Sequence, residues 1–165
     1  MTAELRRPGQ VSPAWAVWNL WERSVGMQTI KKLEAPVLLN STLPHAWDQI
    51  RKIRKNVTDA LAGFDRGLCA AATMVTSELI ENAVKYGEEV PAASHIKLSM
   101  SMDAEKLVIA VTNGCADLAG VRELERRIQE ICEAPDKSTL YMARLEQLLA
   151  EPTESGRLGL YRIAF

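Results

Sequence analysis

The residues best suited to chemistry lie in one short stretch, from Ser77 to Gly87. Glu78, Asn82 and Lys85 follow one another at steps of four and three residues, so on a helix they share one side. The amide oxygen of Asn82 suits Mg²⁺, which takes few protein oxygens and keeps several waters. Glu78 could act as a general base, and Lys85 could pair with a phosphate oxygen. The spacing therefore predicts a row of side chains able to hold a metal ion and a phosphate.

An apolar stripe on the same helix predicts which side faces the protein core. The stripe consists of Leu68, Ala72, Val75, Leu79, Ala83 and Tyr86. The polar row flanks this stripe, at the edge of the core where a cleft between helices and sheet would open. Polar triples are also common on solvated helices, so ordinary boundary charges are the alternative interpretation.

Length and charge favour a single soluble domain. The chain has 165 residues, 47% of them hydrophobic, with 20 Lys and Arg against 21 Asp and Glu. This balance offers no basic excess for nucleic acid, and no apolar run reaches the roughly 18–20 residues of a membrane span. Cys69, Cys115 and Cys132 form no metal-ligand spacing. We therefore expect a reduced, cytoplasmic protein.

The N-terminal segment carries three of the four tryptophans, Trp15, Trp18 and Trp21. Their spacing aligns them along one side of a helix that must be covered. Burial against the domain itself or a second copy is the simpler interpretation, and docking to a partner or a membrane surface is the alternative. We predict a Trp-rich helical extension over residues 1–26 and the main domain over 27–165.

The remaining elements follow from periodicity and capping residues. The continuously apolar run Leu107–Val111 predicts a central strand, and the helix after the first strand is expected to open at Ser41–Pro44. The order predicts an α+β fold, with helices layered on a largely antiparallel sheet. An all-helical structural protein is the alternative. The predicted elements are strands at 35–40, 95–102 and 107–111, and helices at 41–63, 65–87, 117–133, 137–150 and 158–165.

The motif Glu78-x-x-x-Asn82-Ala83-x-Lys85 resembles the N-box of the GHKL superfamily, the ATP-binding fold shared by gyrase and the sensor histidine kinases. Its lead-in is most similar to the anti-sigma-factor serine kinases, and its two-helix insert is similar to that of SiaB-type bacterial protein kinases. The likeness runs from about residue 32 to the end. It implies bound ATP and Mg²⁺, with Asn82 as metal ligand, Glu78 as catalytic base and Lys85 near the phosphates.

The same resemblance implies an adenine box after a central strand, normally Asp-x-Gly-x-Gly. Here the chain has Asn113-Gly114-Cys115, so Asn113 takes the place of the aspartate and Cys115 that of the next glycine. The amide oxygen of Asn113 can still accept a hydrogen bond from the adenine amino group. It forgoes a charge-assisted bond, a difference of ~1–2 kcal/mol or about tenfold in affinity.

The family's phosphate loop, Gly-x-Gly-Leu-Gly-Leu, aligns with residues 155–160. Gly156 and Gly159 are present, but Ser155 and Arg157 stand where two glycines are expected. In the family, backbone N–H groups of this loop and the start of the next helix hold phosphates. Arg157 could pair with a phosphate directly, or it could narrow the loop and exclude the nucleotide.

Members of this fold add a strand pair after the final helix, whereas this sequence stops at Phe165. Either the sequence is cut short after Phe165 or another chain completes the sheet, and we predict a homodimer or an otherwise covered sheet edge. As a function it implies a serine/threonine kinase-like switch acting on a regulatory protein partner, with residues from about 116 to 155 as a mobile lid. The alternative is a degenerate module that sequesters its partner without nucleotide turnover.

Overall fold

The computed structural model describes residues 36–91, 93–102, 106–150 and 158–165. The predicted Trp15/Trp18/Trp21 helix lies outside these residues, as do Gly156 and Arg157 of the phosphate loop. Among the described helices, none combines the length and the apolar character needed to span a bilayer.

The described residues form three strands and five helices. The strands pair antiparallel in the order β1-β2-β3. Helices and strands build one shared apolar core, so the α+β fold is as predicted and an all-helical protein is excluded. The elements are β1 (Val37–Leu43), α1 (Gln49–Ala60), α2 (Arg66–Tyr86), β2 (Ile96–Met102), β3 (Leu107–Thr112), α3 (Leu118–Glu133), α4 (Lys137–Ala150) and α5 (Gly159–Ala164).

The middle strand of the sheet is β2, not β3 as the apolar run predicted. Leu98 of β2 lies opposite Ser41 on β1 and Val111 on β3. From Ile96 to Met100 the strand alternates between buried and exposed residues, because the described helices cover only one face of the sheet. In β3, Val108 and Ala110 lie on the face away from the core, so a continuous apolar run did not signal burial on both faces.

The first helix begins at Gln49, later than predicted. Leu43 is the last residue of β1 and lies 4% exposed in the core, whereas Trp47 is 59% exposed in the turn before α1. The residue before a proline is driven towards extended backbone, so Pro44 keeps Leu43 in the strand. The helical spacing of Leu43 and Trp47 with the later apolar residues was therefore misleading.

The buried side of α2 is rotated from the predicted stripe, and Tyr86 is 49% exposed. The helix packs against both α1 and the sheet, so small polar residues are buried as well. Ser77 is satisfied there, since its hydroxyl donates to the Thr73 carbonyl at 2.7 Å and accepts from Nε of Arg54 at 2.8 Å. The buried residues of α2 are Ala72, Thr76, Ser77, Ile80 and Ala83.

We call the sheet with α1 and α2 the core layer, and α3, α4 and α5 the polar lobe. Helices α3 and α4 match the predicted bounds, because each begins at an aspartate cap. Asp117 accepts from the amide of Ala119 at 2.9 Å, and Asp136 accepts from that of Ser138 at 2.9 Å. No described residue of the polar lobe belongs to the apolar core cluster, and its helices α3 and α4 pack against α5.

Candidate functional site

The candidate site is built on α2, whose start is fixed by Asp65. The carboxylate of Asp65 accepts from the amides of Gly67 at 2.8 Å and Leu68 at 3.2 Å. The helix then runs without interruption to Tyr86, as predicted. Glu78, Asn82 and Lys85 therefore lie along one side of a single rigid helix.

Glu78 is the most enclosed member of this row. Its side chain is 13% exposed and its carboxylate forms an ion pair with the guanidinium of Arg162 on α5. A Cβ placed on Gly159, the first residue of α5, would collide with that carboxylate and lie 3.7 Å from Nδ2 of Asn82. The last glycine of the predicted phosphate loop is thus brought against the predicted base and metal ligand.

Lys85 lies at the outer end of the row. Lys85 is exposed, and its ammonium group lies 5.1 Å from the centroid of the neighbouring Tyr86 ring. Asn82 is half-buried between Lys85 and Glu78. The row therefore runs from an enclosed carboxylate to a solvated cation, which is the gradient expected where a cleft meets solvent.

Asn113 and Gly114 lie at the C-terminal end of α2. Nδ2 of Asn113 donates to the Gly114 carbonyl at 2.8 Å, and it would lie 2.6 Å from a Cβ placed on Gly87. The Gly114 carbonyl also accepts from the amide of Glu88 at 2.9 Å. Five residues of helix, about 7.5 Å along the axis, separate Gly87 from Asn82. Asn113, the predicted adenine contact, thus lies beside the end of the helix that carries Asn82, a little over one turn along the axis.

Sequence reasoning missed two residues of this region. Arg162 lies three residues after Gly159, so the two share a helix face, and that spacing could have indicated a cation facing the row. His45 is half-buried, and neither buried ring nitrogen has a hydrogen-bond partner among the described residues. Its Cε1 lies 3.0 Å from where a Cβ on Gly87 would be. Nothing in the local sequence pattern signals this contact.

The two best-formed cavities of the described residues lie beside this row rather than on it. One, of about 260 Å³, is a partly open cavity between α3, α4 and α5. The other, of about 510 Å³, is an open groove between α1 and α2 that Arg162 borders. Neither is lined by Asn82, Lys85 or Asn113. The walls of the predicted nucleotide cleft would include Gly156 and Arg157, which are outside the described residues.

Asn82 and Glu78 could contribute oxygen ligands to a magnesium ion that binds together with phosphates. They are too few to hold a metal ion without such a ligand. Within the described ranges, no group of three or more His, Cys, Asp or Glu side chains could hold a metal. Mg²⁺ beside ATP needs only one or two protein oxygens, since phosphates and water supply the others. Asn82 can provide one. Glu78 can provide a second only if Arg162 releases its carboxylate.

Comparison with known proteins adds no assignment: no family model matches the sequence, and no curated protein or solved structure gives a significant match. The GHKL resemblance therefore stays a prediction based on the residues of the N-box, the adenine box and the phosphate loop. The homodimer, the protein partner and the cytoplasmic location stay predictions as well.

Proposed function

We propose that the chain is a GHKL-type domain that binds ATP with Mg²⁺ and acts as a regulatory switch on a partner protein. One observation carries the proposal: Gly159 lies against both Glu78 and Asn82, although these residues are far apart in the sequence. Convergence of the N-box with the end of the phosphate loop is what a nucleotide site of this type requires. The antiparallel sheet under one layer of helices is compatible with it.

Each site residue has a distinct part in this proposal. Bound Mg²⁺ would neutralise phosphate charge, which is the main source of catalysis in phosphoryl transfer. The Asn82 carboxamide offers an oxygen to that ion, and Lys85 at the open end of the row attracts the phosphates. Asn113, at the C-terminal end of α2, accepts from the adenine amino group through its amide oxygen.

The ion pair between Glu78 and Arg162 sets the resting state of the switch. The guanidinium of Arg162 occupies the Glu78 carboxylate, so a partner's hydroxyl group cannot bond to the same oxygen while the pair is intact. Phosphate oxygens match the guanidinium at least as well as a carboxylate does. When nucleotide binds, Arg162 therefore transfers to phosphate, and Glu78 is left to accept the proton of a partner's serine or threonine hydroxyl.

Calorimetric titration of the full chain with ATP and Mg²⁺ tests this proposal. We expect saturable binding that depends on Mg²⁺ and that Asn82→Ala weakens at least about tenfold, through loss of the metal ligand. Asn40→Ala is the matched control, because Asn40 is exposed on the opposite, polar face of the sheet. Absence of binding at millimolar ATP would refute the proposed function.

A second candidate is a module that captures its regulatory partner without nucleotide turnover. It is favoured by the existing ion pair of Glu78 and by the internal hydrogen bond from Asn113 to Gly114, which occupy two predicted nucleotide contacts. The two functions differ in one measurement. Partner affinity that is unchanged by ATP and by Asn82→Ala supports capture alone, whereas ATP-dependent partner affinity or phosphate transfer supports the switch.

A further inference from the structure

The polar lobe forms a partly open cavity of about 260 Å³ with more arginines than acids on its walls. Three guanidinium groups contribute to the lining, from Arg126 and Arg127 on α3 and from Arg144 on α4. Glu130 is the acidic lining residue, and Tyr161 of α5 closes one side. Glu123, beside the lining, also pairs with Arg126 and Arg127, so two carboxylates face three guanidinium groups and one positive charge remains in excess.

Arg127 is the most buried of the three arginines that line this cavity. The residue is only 9% exposed, and its Nε donates to Glu123 at 2.7 Å. Its terminal nitrogens form no hydrogen bond within the described part of the chain. A guanidinium has five N–H donors, so Arg127 keeps donors for a ligand in the cavity while its Nε is bonded to Glu123.

The neighbouring carboxylates are already engaged. Glu123 accepts from Nε and from a terminal nitrogen of Arg126, each at 2.9 Å. Hydrogen bonds from Arg126, and then from Arg127, lower the pKa of Glu123 to about 2, so it is fully ionised near neutral pH. Glu130 accepts from the Tyr161 hydroxyl at 2.9 Å and lies 3.7 Å from Arg126. These acids fix the positions of the cations without filling the cavity between them.

We propose that this cavity binds a small anion bearing a phosphate group, held by Arg127 and Arg144 with Arg126 at its edge. Planar guanidinium groups match phosphate oxygens in a bidentate manner. The volume far exceeds the roughly 10–15 Å³ that one water needs, yet lies below the roughly 300–1,000 Å³ of pockets for drug-sized ligands. It therefore suits inorganic phosphate or a small phosphate monoester rather than a nucleotide.

The orientation of Arg144 supports the same ligand. Its guanidinium carbon lies 6.0 Å from the centroid of the Tyr161 ring, and a terminal nitrogen donates to Gln147 at 3.0 Å. Tyr161 is buried and anchored by Glu130, so the ring gives Arg144 a fixed surface to lie over. A guanidinium held in this way is preorganised for an oxyanion, which lowers the entropy lost on binding.

The proposed anion site is separate from the proposed nucleotide site, because no lining residue of the cavity belongs to the Glu78–Lys85 row. The two sites are nevertheless joined by α5. Tyr161 lines the cavity, and the next residue, Arg162, pairs with Glu78. The proposal of an anion site therefore does not depend on whether the protein binds ATP.

Titration of the full chain with inorganic phosphate, without Mg²⁺ and at constant ionic strength, tests the proposal. We expect a dissociation constant below about 1 mM, weakened at least about tenfold in Arg127→Gln and about three- to tenfold in Arg144→Gln. Arg51→Gln, an exposed arginine on α1, is the matched control and should bind as the parent does. Acetate carries less charge and fewer oxygens than phosphate, so it should bind more weakly than phosphate in the parent.

Circular dichroism and a thermal melt establish that each variant folds. If Arg127→Gln fails to fold, Arg127→Lys and Arg144→Gln carry the test, since Arg144 is less buried. Phosphate that binds no better than chloride overturns the proposal, as does equal weakening in Arg51→Gln. Loss of phosphate binding in Asn82→Ala would place the phosphate in the nucleotide site and would also overturn it. Retention in Asn82→Ala, together with loss in Arg144→Gln, supports a distinct anion site.

Discussion

The core layer and the polar lobe are held together in different ways. In the core layer, apolar side chains from α1, α2 and the sheet pack into one cluster, and Ile53, Ile80 and Leu98 have no exposed surface. In the polar lobe, the residues that are buried among those described are Arg127 and Tyr161, and each is fixed by a hydrogen bond to a glutamate.

This difference indicates where the molecule can change state. A close-packed apolar core has one low-energy arrangement, whereas a guanidinium can exchange one carboxylate or phosphate partner for another at little cost. Helix α5 lies at the border, with Tyr161 on the lobe side and Gly159 and Arg162 against α2. We therefore expect the core layer to set stability and the lobe to respond to ligands.

The largest effect should come from the core layer. Replacing Ile80 by Ala removes a fully buried side chain between α2 and the sheet, and should lower the free energy of unfolding by about 2–5 kcal/mol. Met142→Ala on α4 is the control, because Met142 is 51% exposed and its loss should change that free energy by less than about 0.5 kcal/mol. Urea unfolding measures both. Similar losses in the two variants would contradict the contrast between the regions.

The next effect should come from Gly114, where the end of β3 packs on the segment after α2. A Cβ there would lie 2.7 Å from Cγ2 of Val90 and 2.9 Å from the Ala93 carbonyl, so Gly114→Ala should destabilise by about 1–3 kcal/mol. Gly63→Ala is the matched control, since a Cβ on Gly63 would meet no atom within 4 Å. Thermal unfolding compares them. A neutral Gly114→Ala would show that this segment moves easily and belongs with the responsive part of the molecule.

Local chemistry explains which parts of the fold could be predicted from the sequence. The bounds of α2, α3 and α4 follow from aspartate caps at Asp65, Asp117 and Asp136. The hairpin of β2 and β3 follows from strict alternation in β2 and from the break at Asn113. Caps and alternation depend on residues that are close in the sequence, so they can be recognised before the tertiary structure is known.

The parts that could not be predicted depend on contacts between distant residues. In the sequence, Arg126 and Arg127 form a pair that would be expected on a solvated surface. Only the packing of α3 against α5 shows that Arg127 is buried. The pairing of Arg162 with Glu78 likewise joins helices that are remote in the sequence. The sequence predicted Glu78, Asn82 and Lys85 as a site. The convergence of Gly159 on the first two needed the structure.

The smallest effect should be a pH dependence confined to the polar lobe. The pKa of Glu123 is lowered from 4.5 to about 2 by hydrogen bonds from Arg126 and Arg127, so its ion pairs stabilise the folded state above pH 4.5. That stabilisation declines as the pH falls towards 2, because the unfolded chain takes up the proton first. The pairs are partly solvated, so the effect is screened by salt. The difference in unfolding free energy between the parent and Glu123→Gln should be constant from pH 7 to about 5 and shrink towards pH 2. A difference already lost at pH 4 would mean that Glu123 is not held by both arginines, and that the lobe lacks the fixed cations on which its response depends.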